Sequence, residues 1–316
     1  MKVFYQLLVN TALASVTNFT VWFAITFYVF LETKSVFATG TISGIYLAIV
    51  LSGVAIAHLM FVSVPEHVVA ADATPEPKTV DLRGTLVVLA AIPGIFTLIF
   101  FTTFNNFLGG VFMALVDAYG LSLVSVETWG FLLGALSFAF MAGGAAIAKW
   151  GLGRNPRRAM MLANIATWSV CALFTIQASI VLLVIGMFLF MAVSPYFEAA
   201  EHTILQKVVP AERQGQVFGF AQSVEQAASP FMAFLIGPVT QFIFIPYMET
   251  GAGARAIGGW FGTGPDRGIA LVFTLAGLLG VIVTVVAFRS RFYRRLSEAY
   301  LAAPDAPDDT GGIVAA

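Results

Sequence analysis

The side chains best suited to chemistry lie in one apolar stretch in the last third of the chain. Gln222, Glu225, Gln226 and Ser229 stand at relative positions 0, 3, 4 and 7, which is one face of a helix. If that stretch enters hydrocarbon near Gly215, Glu225 is ten residues deeper, about 15 Å at 1.5 Å per residue and close to the middle of a bilayer. Ionising a carboxyl group there is costly, which suits Glu225 to carrying a proton. A glutamate hydrogen-bonded to a neighbouring helix purely for packing is the other reading, and the sequence leaves both open.

A second cluster, Glu198, Glu201 and His202, lies on the preceding apolar run. The run starts near Ser179, which puts Glu198 about 28 Å along it. Glu198 is then near the membrane boundary, and Glu201 and His202 reach the headgroups. That depth favours a solvated helix end with gating contacts over proton transfer. The spacing lacks the second histidine that a helical zinc motif needs, so no metal site is expected. Asn105 and Asn106 fall toward the outer end of another apolar run, and Asn18 midway along the first. Such residues either contact a substrate or serve as hydrogen-bonding glue between helices. Cys171 is alone and the three histidines, His58, His67 and His202, are scattered. No nucleophile–base pair emerges, so neither an enzyme, a catalytic residue nor a cofactor is expected.

These groups need helices to carry them, and the composition says which kind. Of 316 residues, 59% are hydrophobic and only 10% charged, against roughly 25% charged in a soluble domain. Thirty are phenylalanine, and the mean hydropathy is +0.90. So few charges cannot cover a soluble fold of this size. The apolar runs are continuous and about 20 residues or longer, the helical length that crosses a bilayer, and lack the period-two alternation of outer-membrane strands. The expected fold is therefore all-α, a polytopic bundle in the lipid bilayer. A net charge of −1, with no basic stretch interleaved with aromatics, gives no case for nucleic acid as a partner.

Eight spans can be read, near Phe4–Phe30, Val36–Val64, Leu86–Leu108, Trp129–Ala148, Ala159–Gln177, Ile180–Ile204, Val217–Ile245 and Ile269–Phe288. The first is too long for a cleavable signal peptide and reads as a retained helix. With the N-terminus inside, thirteen Lys and Arg fall in inner segments and three (Lys34, Arg255 and Arg267) in outer ones. That asymmetry puts both termini in the cytoplasm and the protein in the cell membrane. Residues 66–83, with Pro75 and Pro77, read as a cytoplasmic linker between a two-helix part (1–65) and a six-helix part (84–300), and 301–316 as a disordered tail. The glycine-rich stretch Glu249–Arg267 reads as an irregular outer loop. Gly40-x-x-x-Gly44, Gly130-x-x-x-Gly134 and Gly215-x-x-x-Gly219 allow close helix approach, within one chain at least as readily as between chains.

The stretch from Gln206 to Gly219, with Val208-Val209-Pro210-Ala211-Glu212 and Gly215-Gln216-Val217-Phe218-Gly219, resembles the loop between helices ten and eleven of the major facilitator superfamily, most closely its drug and macrolide efflux branch. Gln216 stands where that branch usually has arginine; Pro230 and Gly237-Pro238 fit its eleventh helix. Gly144–Gly151, followed by Arg154, Arg157 and Arg158, resembles a degenerate copy of the superfamily's cytoplasmic signature loop, with Ala148 replacing the acidic residue. The resemblance implies that residues 84–300 are a complete C-terminal six-helix half. It also implies an N-terminal half lacking about four helices, with the join near Tyr46–Gly53. The function it implies is efflux of small amphipathic molecules such as drugs by proton antiport. Glu225 is then the proton site, at the depth where transporters commonly bind, with Gln222, Gln226, Asn105, Asn106 and Glu198 on the substrate path. The shortened half also implies an alternative, a non-transporting remnant or a half-transporter active only as a homo-oligomer.

Overall fold

The computed structural model describes residues 21, 24–42, 44–46, 82–153, 155–210 and 213–302. Asn18, His58, His67, Arg154, Glu212, the expected join after Tyr46, residues 66–81 of the linker and residues 303–316 of the tail lie outside them. Among the described residues every regular element is helical. Five helices are long and apolar enough to cross a membrane. The protein is a polytopic helical membrane protein.

Two short apolar helices, α1 (Ala24–Thr33) and α2 (Val36–Tyr46), precede the main bundle. Helix α3 (Leu82–Ala91) stops at Ile92-Pro93-Gly94, and α4 (Ile95–Leu123) starts immediately after it. Pro93 has no N–H to donate and disfavours helical backbone at Ile92. Gly94 adopts φ 84°, a left-handed conformation open to glycine. The expected span Leu86–Leu108 is therefore wrong at both ends. Its apolar run crosses a helix break that hydropathy does not register, and α4 continues to Leu123 for 29 residues, about 43 Å.

Side chains start the next three helices. Ser125 caps α5 (Val126–Trp150), Asn155 caps α6 (Pro156–Leu173) with proline at its first position, and Ser179 caps α7 (Ile180–Val208). Helix α8 (Gln214–Val239) runs through a π-helical turn (Thr240–Phe244) into α9 (Ile245–Glu249), so that one apolar rod covers 36 residues. The π turn falls between Pro238 and Pro246, each of which removes a backbone donor. The expected irregular outer loop contains helix α10 (Ala252–Phe261). Its Gly253 rests on Tyr247 and Met248, so there glycine serves close packing and does not break the helix. Helices α11 (Pro265–Arg289) and α12 (Arg291–Ala302) end the described chain.

Helix α4 packs along α8, α6 against α7 and α11, and α5 against α7. The short helix α2 lies on the far part of α8. Val36 N–H donates to Gln241 Oε1 at 3.1 Å, and a Cβ on Gly40 would meet the Ala233 carbonyl at 3.1 Å. Gly134, Gly215 and Gly219 meet nothing within 4 Å, so of these glycines Gly40 and Gly44 are the ones at a tight helix crossing.

Buried apolar side chains form two separate clusters. One contains Leu108, Val111, Trp168, Met187, Ala233 and Phe273, the other Phe101, Met161, Ala200, Leu205 and Ala221. Each of α4, α6, α7 and α8 contributes to both. Where the two clusters meet, each of these helices carries polar residues that line a cavity.

Candidate functional site

The polar layer between the apolar clusters encloses a cavity of about 280 Å³. Helix α4 lines it with Asn105, Asn106 and Gly109, and α6 with Asn164, Thr167 and Trp168. Helix α7 contributes Phe190, Ser194, Phe197, Glu198, Glu201 and His202, and α8 contributes Gln222, Glu225 and Gln226. On each helix these residues recur at three- and four-residue spacing, so one face of each turns inward. Close packing holds the layer together. A Cβ on Gly110 would meet Met232 at 2.9 Å, so its absence brings α4 against α8, where the Ser229 hydroxyl donates to the Asn106 carbonyl at 2.7 Å.

A chain of buried hydrogen bonds fixes the polar side chains. The Thr102 hydroxyl donates to Glu225 Oε1 at 2.7 Å. The Trp168 indole N–H donates to Asn105 Oδ1 at 2.6 Å, and Asn105 Nδ2 donates to the Phe101 carbonyl at 2.8 Å. Asn164 Nδ2 donates to Thr284 Oγ1 at 2.8 Å, which ties α6 to α11 beside the cavity. Glu225 is 2% exposed and Glu201 5% exposed, and their carboxyl groups lie within hydrogen-bonding reach of each other. Glu201 Oε1 is buried without a donor. Glu198 and His202, one turn apart, are exposed at the open side. Among the described residues lining the cavity there is no lysine or arginine.

A family model described as Major Facilitator Superfamily matches residues 36–233, well over half of the chain. The chain belongs to the Major Facilitator Superfamily. That family consists of secondary membrane transporters, so this is a member of a transporter family and not of an enzyme family. Among solved structures, a bacterial homologue of the human lysosomal transporter Spinster, in an inward-facing and unoccupied conformation, is similar. It shares 14% identity with a TM-score of 0.46, over 80% of this chain and 58% of that one. The chain thus spans less than two thirds of that transporter's length. No curated protein matches it.

In this superfamily member all six side chains expected on a substrate or proton path (Glu225, Gln222, Gln226, Asn105, Asn106 and Glu198) border one cavity. Two placements differ from expectation. Asn105 and Asn106 are not near the outer end of their span; the break at Pro93-Gly94 puts them in the middle third of α4. Asn105 also has its side-chain oxygen and nitrogen both engaged, so it is a framework residue of the wall. Glu201 is not at a solvated helix end. Helix α7 runs on to Val208, which leaves Glu201 about 10 Å from its end and buried against α8.

Thr102, Asn164, Trp168 and Ser194 were not singled out in the sequence. The signal for one set was present: Ser194, Phe197, Glu198 and Glu201 stand at 0, 3, 4 and 7, the spacing that marked Gln222 to Ser229. Asn164 and Trp168 stand one turn apart in the same way. Thr102 carries it too, at 0, 3, 4 and 7 with Asn105, Asn106 and Gly109, but its bond to Glu225 depends on α8 lying opposite.

Proposed function

We propose that the chain is a proton-coupled exporter of small amphipathic molecules of the drug-efflux kind, with both termini on the cytoplasmic side of a cell membrane. The observation that carries this reading is Glu225, a buried carboxyl group on the wall of a polar cavity between two apolar layers. A carboxyl group there exchanges a proton only when water or substrate reaches it, which is the property that coupling requires. The cavity combines polar groups for orientation with Trp168, Phe190 and Phe197 for apolar contact, the mixture that admits varied amphipathic ligands. Residues 84–300 form the C-terminal transport half in this reading, and rocking against the remainder exposes the cavity to alternate sides.

The test is transport by the purified full chain in proteoliposomes with an imposed pH gradient. Glu225→Gln keeps size and hydrogen bonding but removes the titrating group. The expected result is loss of gradient-driven efflux with substrate binding largely retained, and a smaller loss for Glu198→Gln at the open side. Undiminished gradient-driven efflux by Glu225→Gln would leave this glutamate as a packing residue.

A further inference from the structure

We propose that a second, wholly apolar chamber beside the polar cavity is a binding subsite for the hydrocarbon end of an amphipathic ligand. It takes a single aromatic ring or a short branched alkyl group, while the polar end of the same molecule lies among the amides of the first cavity. This rests on reading the polar cavity as the substrate site, and it gives that substrate a shape.

The second chamber has a volume of about 120 Å³ and lies between α4, α6 and α7. None of its lining side chains carries an oxygen or a nitrogen. On α4 the polar cavity ends at Gly109 and the apolar one begins at Phe112; on α6 the corresponding residues are Trp168 and Val170. On α7 the order is reversed, with the apolar chamber at positions 186–191 and the polar cavity at 190–202. The two linings are centred about 10 Å apart along the helices, at 1.5 Å per residue. The second chamber thus continues the first, on the side away from the exposed Glu198 and His202. Its far end is shut where Gly186 lets α7 press on Phe174 of α6.

Phe190 borders both chambers and forms the partition between them. It is half-buried and stacks on Phe112 with ring centroids 5.3 Å apart, and Phe112 is itself held by Trp168, Phe174 and Phe273. Phe112 is therefore the fixed wall, and a turn of the Phe190 ring joins the chambers. Water does not fill such a place, because it needs two or more polar partners. An apolar void leaves its wall atoms without contacts on one side, and an apolar group that enters restores them. A dry apolar cavity near this size takes up a molecule such as benzene. The closed far end suits it to a terminal group and not to a whole lipid chain. Three lining methionines, Met113, Met187 and Met191, are flexible and adapt to groups of different outline.

Spectra of the purified full chain with methyl-labelled methionine, in detergent, test this with three probes. They are 6-phenylhexanamide, hexanamide, which has the same head and no ring, and benzene. Met113, Met187 and Met191 report on the chamber, and Met160 and Met248, fully buried elsewhere, are internal controls. Benzene and 6-phenylhexanamide should shift the three chamber signals and leave the two controls in place, and hexanamide should shift none of them. By calorimetry against protein-free micelles, the ring should tighten binding by roughly tenfold or more over hexanamide. Val116→Phe, which fills the chamber from α4, should remove most of that gain. Chamber signals of the unmodified protein that stay in place with the ring-bearing probes would overturn the subsite, whether or not the variant folds. So would a folded Val116→Phe protein that keeps the full gain. Magnetisation passing from detergent chains to the three methyl groups without ligand would make the chamber a lipid pocket and overturn the subsite as well. None of this needs a gradient. An exporter reading that fails in proteoliposomes leaves shifted signals standing, and unmoved signals leave the Glu225 test untouched.

Discussion

Trp168 holds the cavity wall by two means at once. Its ring lies on Gly280, where a Cβ would collide with it, and its one N–H is committed to Asn105 Oδ1. Asn105 in turn depends on that bond, because a buried amide oxygen without a donor carries most of its desolvation cost. Trp168→Phe preserves the ring packing and removes the donor. Its expected effect is a loss of about 1–3 kcal/mol, seen as a lower thermal midpoint in detergent together with weaker ligand binding. An unchanged midpoint would mean that water replaces the indole. Arg267 shows the same economy at another buried position. It is 2% exposed and has no carboxylate partner among the described residues; it donates instead to the carbonyls of Phe261, Thr175 and Ile176 and to the Tyr119 hydroxyl. A planar fork with several donors can do this where a lysine cannot.

Among the elements, α2 and α8 approach closely because a side chain is absent. A Cβ on Gly40 would lie 3.1 Å from the Ala233 carbonyl and 3.3 Å from Gly237 Cα, both backbone atoms that cannot rotate aside. Gly44 faces the Phe234 ring, a partner better able to adjust. Gly40→Leu should therefore part the two helices at a cost of about 1–3 kcal/mol, the usual range for overpacking. Gly134→Leu on α5, where nothing lies within 4 Å, is the matched control and should leave the thermal midpoint unchanged. Equal midpoints for the two variants would show that the α2–α8 contact adds no stability. Other joints are fixed by polar pins, such as the Trp129 indole N–H on Asp117 Oδ1 at 3.0 Å between α4 and α5.

At the scale of the molecule, charge decides the proposed orientation. Arg267 is buried among carbonyl groups, which leaves Lys34 and Arg255 as the outer cations of the expected partition and sharpens its asymmetry. In a Cys171-free background, cysteine at Lys149, exposed at the end of α5, should resist a membrane-impermeant thiol reagent in intact cells. Cysteine at Gly259, exposed on α10 with open space around it, should react. The opposite labelling pattern would invert the topology. The cavity itself opens where Glu198, His202 and Gln226 are exposed, so in a bilayer polar matter must meet that side.

Composition settled that this is a membrane protein, because 10% charged residues cannot solvate a fold of 316, and the unbroken apolar runs settled that it is helical. Helical periodicity alone marked the face of Gln222, Glu225, Gln226 and Ser229, because side-chain direction along a helix is a local property. The motif after α7 pointed to the superfamily. Depth and partnership were different matters. The break at Pro93-Gly94 moved Asn105 and Asn106 to mid-helix, a change invisible to a count of apolar residues. Read along one helix alone, Glu201 falls toward a solvated helix end, yet it is buried. Its burial comes from the helices packed around it, with Glu225 of α8 on the wall of the same cavity. Whether two carboxyl groups meet depends on both helices at once, and only their packing decides it.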